Sequence, residues 1–130
     1  MATKSAKKME PSQGDIYWVD IPQQQTQGSE QFGPRPFVIL SRNAVNKTVK
    51  TVLAAPMSTN ISQQPPYRIV IPVTEIIKDI QCTRPLSTSV VKTDQLRVID
   101  KSRLRDKVGK LSQTATNSVL AGVAFVFDIR

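Results

Sequence analysis

The chain has 130 residues, 39% of them hydrophobic, with 18 lysines and arginines against 10 acidic residues, for a net charge of +8. That length fits one domain around one core, and no apolar run approaches the roughly 18 residues of a membrane-spanning helix. The absence of histidine and the presence of one cysteine, Cys82, exclude histidine acid–base pairs, a Ser-His-Asp triad, histidine-ligated zinc and an internal disulfide. The positive charge points to an anionic partner, nucleic acid foremost.

Residues 1–13 are polar and lysine-rich. They read as a flexible basic tail with Met9 as an alternative start, and 14–130 read as one domain. The tail lacks the apolar segment of a signal peptide, so the expected compartment is the cytoplasm. Gly14 to Ile21 alternates in β-formers and predicts a first strand, with Ile16 and Trp18 on one face and Tyr17, Val19 and Ile21 on the other. Pro22 to Arg35 is long for a connection, and loops of about 14 residues are usually functional or disordered. Its second half, Gly28-Ser29-Glu30-Gln31-Phe32-Gly33-Pro34-Arg35-Pro36, runs into the strand-like Phe37–Ser41. Arg35 thus stands at the root of a loop, between two prolines that restrict the backbone and after two glycines that free it. A guanidinium held in this way suits a phosphate.

Arg42–Lys47 predicts a short helical turn. Thr51–Met57 is an apolar run of buried-strand type, with Pro56 marking its end or an edge. Ser58 and Thr59 follow, then a loop over Asn60–Pro66 and a strand over Tyr67–Ile71. In Val73–Pro85 only a helical turn over Glu75–Ile80 is suggested. Leu86–Lys92 is strand-like, Lys101–Leu104 turn-like, and Arg105–Ser112 a last strand anchored by Leu104, Val108 and Leu111. Ser112 is the expected N-cap of a final helix, whose apolar face of Val119, Leu120, Val123, Val126 and Phe127 predicts a core contact. The order and composition predict a β-rich α+β domain of five to seven short strands with a C-terminal helix.

Several stretches resemble the MazF/PemK/Kid toxins, the ribonuclease halves of bacterial toxin–antitoxin pairs. They are Gly14-Asp15-Ile16-Tyr17-Trp18-Val19-Asp20, the Gly28–Pro36 stretch, Pro56-Met57-Ser58-Thr59, and the Asp94-Gln95, Arg97 and Ile99-Asp100 spacing after Val91. The resemblance spans about residues 14–130, with 73–85 looking like an insertion relative to shorter members. It implies a small SH3-like barrel, shared with the CcdB gyrase poisons, and a homodimer. It also implies a metal-independent, cofactor-free endoribonuclease that cuts single-stranded RNA at a short sequence. Attack by the 2′-OH would leave a 2′,3′-cyclic phosphate and a 5′-OH. Translation and growth would stop until a cognate antitoxin laid an acidic flexible segment over the site.

The resemblance further implies residue roles. Arg35 is the catalytic arginine, stabilising charge on the phosphorane. Ser58 stands where the family places a threonine and keeps its hydroxyl, while the adjacent Thr59 offers a second one. Glu30 is the general base or the partner that holds Arg35. Lys92 stands for an arginine of one family branch and Asp94 is kept from it, as catalytic or phosphate-binding groups. Ser29 replaces that branch's histidine, so the branch built on arginine and a hydroxyl fits better. Ser29, Gln31, Phe32, Pro56, Gln95 and Arg97 are candidate RNA contacts. Tyr17, Trp18, Phe32 and Tyr67 are the aromatic groups available for base stacking. Lysines and arginines from Lys92 to Lys110 form a modest basic stripe. The rival readings are a CcdB-like gyrase-binding poison without nuclease activity, and a binding module that has lost its activity.

Overall fold

The structure, a computed structural model, describes residues 10–21 and 33–130. Ser29, Glu30, Gln31 and Phe32 lie outside the described residues. The elements are β1 (Asp15–Ile21), β2 (Gly33–Ile39), α1 (Asn43–Asn46), β3 (Thr51–Ser58), β4 (Ile69–Ile71), β5 (Ile76–Lys78), β6 (Ser89–Val91), β7 (Arg97–Asp100), β8 (Leu104–Leu111) and α2 (Gln113–Phe127). Short 3-10 turns occupy Val73–Glu75, Thr93–Gln95 and Lys101–Arg103. The eight strands form one antiparallel sheet in the order β4-β6-β3-β2-β1-β8-β5, with β7 also paired to β3. It curls into a nearly closed barrel, with α2 as its C-terminal helix.

β1, β2 and β3 are buried on both faces, so each strand feeds two cores by alternation. Ile16, Val38, Leu40, Ala55 and Met57 join Ala115 and Val119 of α2 in one cluster. Val19, Ile21, Phe37, Ile39, Val52 and Ala54 join Ile99 and Leu104 in the other. Trp18 packs on the first cluster and Tyr17 on the second, as the period of two predicts.

β3 changes partners along its length. Thr51–Ala54 pair with β7, and Met57–Ser58 pair with β6. Pro56 sits at the changeover, facing Phe37 of β2, where its missing N–H costs no ladder bond. Its carbonyl still accepts from Lys92 N at 3.0 Å.

Several expectations are corrected. There are eight strands, not five to seven, because β4, β5 and β6 have three residues each, too few for a hydrophobic period to register. β2 opens at Gly33 rather than Phe37, so Arg35 lies inside a strand, opposite Val19. Its prolines fit there because residues 33–36 pair only with β1 and carry no strand on the other side. The strand expected from Tyr67 begins at Ile69, and the one expected from Leu86 begins at Ser89. The helical turn expected over Glu75–Ile80 is instead a 3-10 turn followed by β5, which adds to the edge of β8.

Residues 10–13, expected as tail, are tied to the body. Glu10 pairs with Lys101, and Gln13 donates to the Leu40 carbonyl at 2.8 Å. The α2 face is core only in its first half. Val119 is fully buried, whereas Val126 and Phe127 are 38% and 58% exposed. The helix outruns the barrel beneath it. Ser112 is the predicted cap, its Oγ accepting from Ala115 N at 3.1 Å.

Candidate active site

At one end of the barrel a cleft of about 570 Å³ opens between the strands and the chain leading into β6. Trp18 of β1, Arg35 of β2, and Ser58 and Thr59 at the end of β3 line one side. Arg84, Pro85, Leu86 and Ser87 line the other. Its described lining holds two arginines and several hydroxyls but no carboxylate.

Arg35 is placed by the ladder. Gly33 begins β2 at φ +84°, a backbone shape that favours glycine, and from there Pro34, Arg35 and Pro36 run in register against Asp20, Val19 and Trp18. Among the described residues no carboxylate pairs with Arg35, and its Nε is buried without a hydrogen-bond partner. A desolvated donor without a partner is costly, and an anion entering the cleft satisfies it.

Ser58 ends β3 opposite Val90 of β6. Its Oγ accepts from Asn60 N at 3.1 Å, which leaves its proton for an oxygen in the cleft. Thr59 is the more exposed of the two hydroxyls.

Behind this wall the charges are organised around a residue that the sequence reading missed. Arg68 grips Asp94 with two bonds, Nε to Oδ1 and the terminal nitrogen to Oδ2, both 2.7 Å. The hydrogen bond holds the Asp94 carboxyl below the usual carboxylate range and raises the Arg68 guanidinium. Gln64 Oε1 accepts a third Arg68 bond at 3.1 Å. Asp94 is therefore bonded to Arg68, not to its sequence neighbour Lys92. Burial, then Arg68, then Arg35 push the Lys92 ammonium below the ordinary lysine value, with Asp94 opposing. Lys92 thus stands within electrostatic reach of Arg35. Among the other candidates, Pro56 is buried inside β3, and Gln95 and Arg97 lie outside the cleft. Gln95 Oε1 is buried without a partner.

Arg84 is the second missed residue. Its Cζ lies over the Trp18 ring, 4.1 Å from the centroid. The sequence held a signal, since Arg84-Pro85 repeats the Arg35-Pro36 dipeptide. For Arg68 there was none, because its partner lies 26 residues away. No group of three or more potential metal-ligating side chains occurs among the described residues, and no described helix is long and apolar enough to cross a membrane.

A nearly closed antiparallel barrel whose cleft holds, among the described residues, an arginine without a partner, a hydroxyl and no carboxylate defines a class, the small barrels suited to a polyanion. Comparison with known proteins narrows it. The family model of the PemK-like, MazF-like toxins of type II toxin–antitoxin systems matches residues 12–127. Endoribonuclease MazF of Staphylococcus saprophyticus is 33% identical over 107 residues, covering 82% of each chain. That of Staphylococcus epidermidis is 33% identical over 102 residues, covering 78% of each. The fold is similar to a MazF crystal structure from Deinococcus radiodurans, with a TM-score of 0.72 at 21% identity, covering 93% of this chain and 99% of that one. It is also similar to a mycobacterial endoribonuclease solved with its cognate antitoxin, with a TM-score of 0.69 at 21% identity, covering 92% and 97%. The chain belongs to the PemK-like, MazF-like toxin family of type II toxin–antitoxin systems.

Proposed function

We propose that this endoribonuclease toxin cuts single-stranded RNA by attack of the ribose 2′-OH on the adjacent phosphorus. The P–O2′ bond forms and the P–O5′ bond breaks. The 2′-OH proton goes to a base, and a solvent water gives the proton that the leaving 5′-oxygen takes up. The products are a 2′,3′-cyclic phosphate and a 5′-OH. The observation that carries this reading is the buried Arg35 Nε, unpartnered among the described residues, in a cleft that also holds the Ser58 hydroxyl.

Arg35 stabilises the charge that builds on the phosphorane. Ser58 donates its free proton to a phosphate oxygen, and Lys92 adds positive charge behind Arg35. With Asp94 bonded by both oxygens to Arg68, Glu30 is the carboxylate left to accept the 2′-OH proton. Thr59, on the same wall, is a secondary contact. Ser29, Gln31 and Phe32, on the same stretch of sequence as Glu30, contact the RNA. The step needs no metal or cofactor.

The cellular substrate is mRNA, and the toxin acts in the cytoplasm, arresting translation and growth. An antitoxin with an acidic flexible segment fits a cleft whose described lining holds two arginines and no carboxylate. The working form is a homodimer, supported by an exposed apolar end of α2. Phe125, Phe127 and Ile129 are 69%, 58% and 64% exposed there, and Phe125 stacks on Tyr67 at 5.8 Å between centroids. Such a cluster is a typical interface.

The test is cleavage of a random-sequence RNA with and without EDTA by the parent and by Arg35→Ala. The expected result is EDTA-resistant cutting that the variant loses by about 100-fold or more. Cutting that EDTA abolishes, or that Arg35→Ala retains, overturns the mechanism. An intact RNA together with trapped gyrase–DNA complexes moves the chain to the gyrase-poison class.

A further inference from the structure

The wall opposite Arg35 is made by the chain between β5 and β6, and the proposed chemistry gives it no task. It is nonetheless held in place. Asp79 N donates to the Val108 carbonyl at 2.9 Å and Cys82 N to the Asp79 carbonyl at 3.0 Å. Cys82 and Leu86 pack against the first core cluster. These contacts set Arg84 over Trp18.

The two ends of the cleft differ in chemistry. The Arg35–Ser58 end offers donors to a phosphate. The Arg84 end offers an indole, Pro85 and Leu86 around one planar cation, a poor seat for a solvated phosphate and a good one for a flat base. A guanidinium placed on an aromatic face keeps its in-plane N–H groups for a ligand. Among the described residues no acceptor takes those of Arg84 and no carboxylate pairs with it. RNA-binding proteins stack unpaired bases on aromatic and guanidinium planes and bond their edges. Paired guanidinium donors match the O6 and N7 acceptors of guanine, whereas adenine sets an N6–H2 donor beside its N7.

We infer that Arg84, seated on Trp18, is a specificity-determining residue that selects a guanine beside the scissile phosphate. This rests on the ribonuclease reading and adds to it the residue that chooses where the cut falls. Arg35 acts on every RNA alike, whereas Arg84 distinguishes among them.

The experiment is cleavage of a random-sequence RNA by the parent, Arg84→Ala and Arg84→Lys, with sequencing of the 5′ ends produced. The expected parent profile favours guanine at one position flanking the cut. Both variants lose that preference by at least about fivefold while the preferences at other positions stay. Lysine does not rescue, because it lacks the paired donors. An unchanged profile overturns the inference, as does a uniform loss of cutting over all sequences, which marks a phosphate contact. A parent that leaves the RNA intact defeats the ribonuclease reading itself.

A second readout does not depend on cutting. Trp18 is the only tryptophan in the chain, so its fluorescence reports on its stacking partner. A 2′-O-methyl RNA carrying guanine at the selected position should shift the emission more than its adenine counterpart in the parent. Equal shifts from both RNAs overturn the inference.

Discussion

The two walls of the cleft are built by different means. On one side Arg35 and Ser58 belong to long strands in continuous register, β2 against β1 and β3 against β2 and β6. On the other side the chain from Asp79 to Thr88 has no strand pairing and relies on packing and a few backbone bonds. A ladder fixes a side chain's position to within the pleat, which suits charge stabilisation at a reacting phosphorus. A packed irregular segment tolerates changes of sequence without unfolding the barrel. The fold thus builds one wall by ladder and the other by packing, and Trp18 of β1 joins them where Arg84 lies on its ring.

The harshest way to break this contrast is to remove what both walls share. Phe37 is fully buried in the second cluster, within β2. Phe37→Ala should cost about 3–5 kcal/mol in urea denaturation, and both walls should fail in one transition. The strand wall alone is tested by Ser58→Ala, for which kcat should fall about 100-fold with an unchanged base preference. Thr59→Ala should lose less than Ser58→Ala, and the reverse ranking would transfer the hydroxyl's role to Thr59.

The other wall is tested at Gly109, where an added Cβ would lie 2.3 Å from the Ile77 carbonyl oxygen. Gly109→Ala should push β5 off β8 at a cost of about 1–3 kcal/mol. Hydrogen exchange should quicken at the β5 amides and spare Val38. Quickening at both sites would show that the walls are a single cooperative unit.

The smallest effect is expected at Asp94. Its pair with Arg68 is partly exposed, so Asp94→Asn should cost about 1 kcal/mol or less. The native carboxyl is held below its ordinary value, so the parent gains stability above the unfolded carboxylate range. That gain should vanish as the pH falls through the lower folded value. Thermal melts of parent and variant should therefore converge in acid and separate toward neutrality.

How far these walls were legible in the sequence follows from the same distinction. β1 announced itself by alternation, which sorted Ile16 and Trp18 from Tyr17, Val19 and Ile21 as the two clusters do, and β3 announced itself by an unbroken apolar run. Arg35 was marked by its prolines and glycines. β5 was misread because three residues carry no period and its partner β8 lies far along the chain. The Arg68–Asp94 pair was invisible for a related reason. It exists only once β4 and β6 pair and bring the segments beyond them together. The end of α2 was misassigned to the core because periodicity reports an apolar face but not what covers it.

The sheet pairs its first strand with its last, Asp15 opposite Lys110 and Val19 opposite Leu104. A ribosome therefore releases nearly all of this chain before the barrel can close. Pairings of such high sequence separation also form slowly. The early hairpin of β1 and β2 already carries Arg35, but without β6, β8 and the segment between β5 and β6 it has no cleft. The nascent chain thus carries Arg35 before it has a cleft for that arginine to act in. Chains truncated after Asp100 should show this directly, lacking both the cooperative unfolding transition and the nuclease activity of the whole chain.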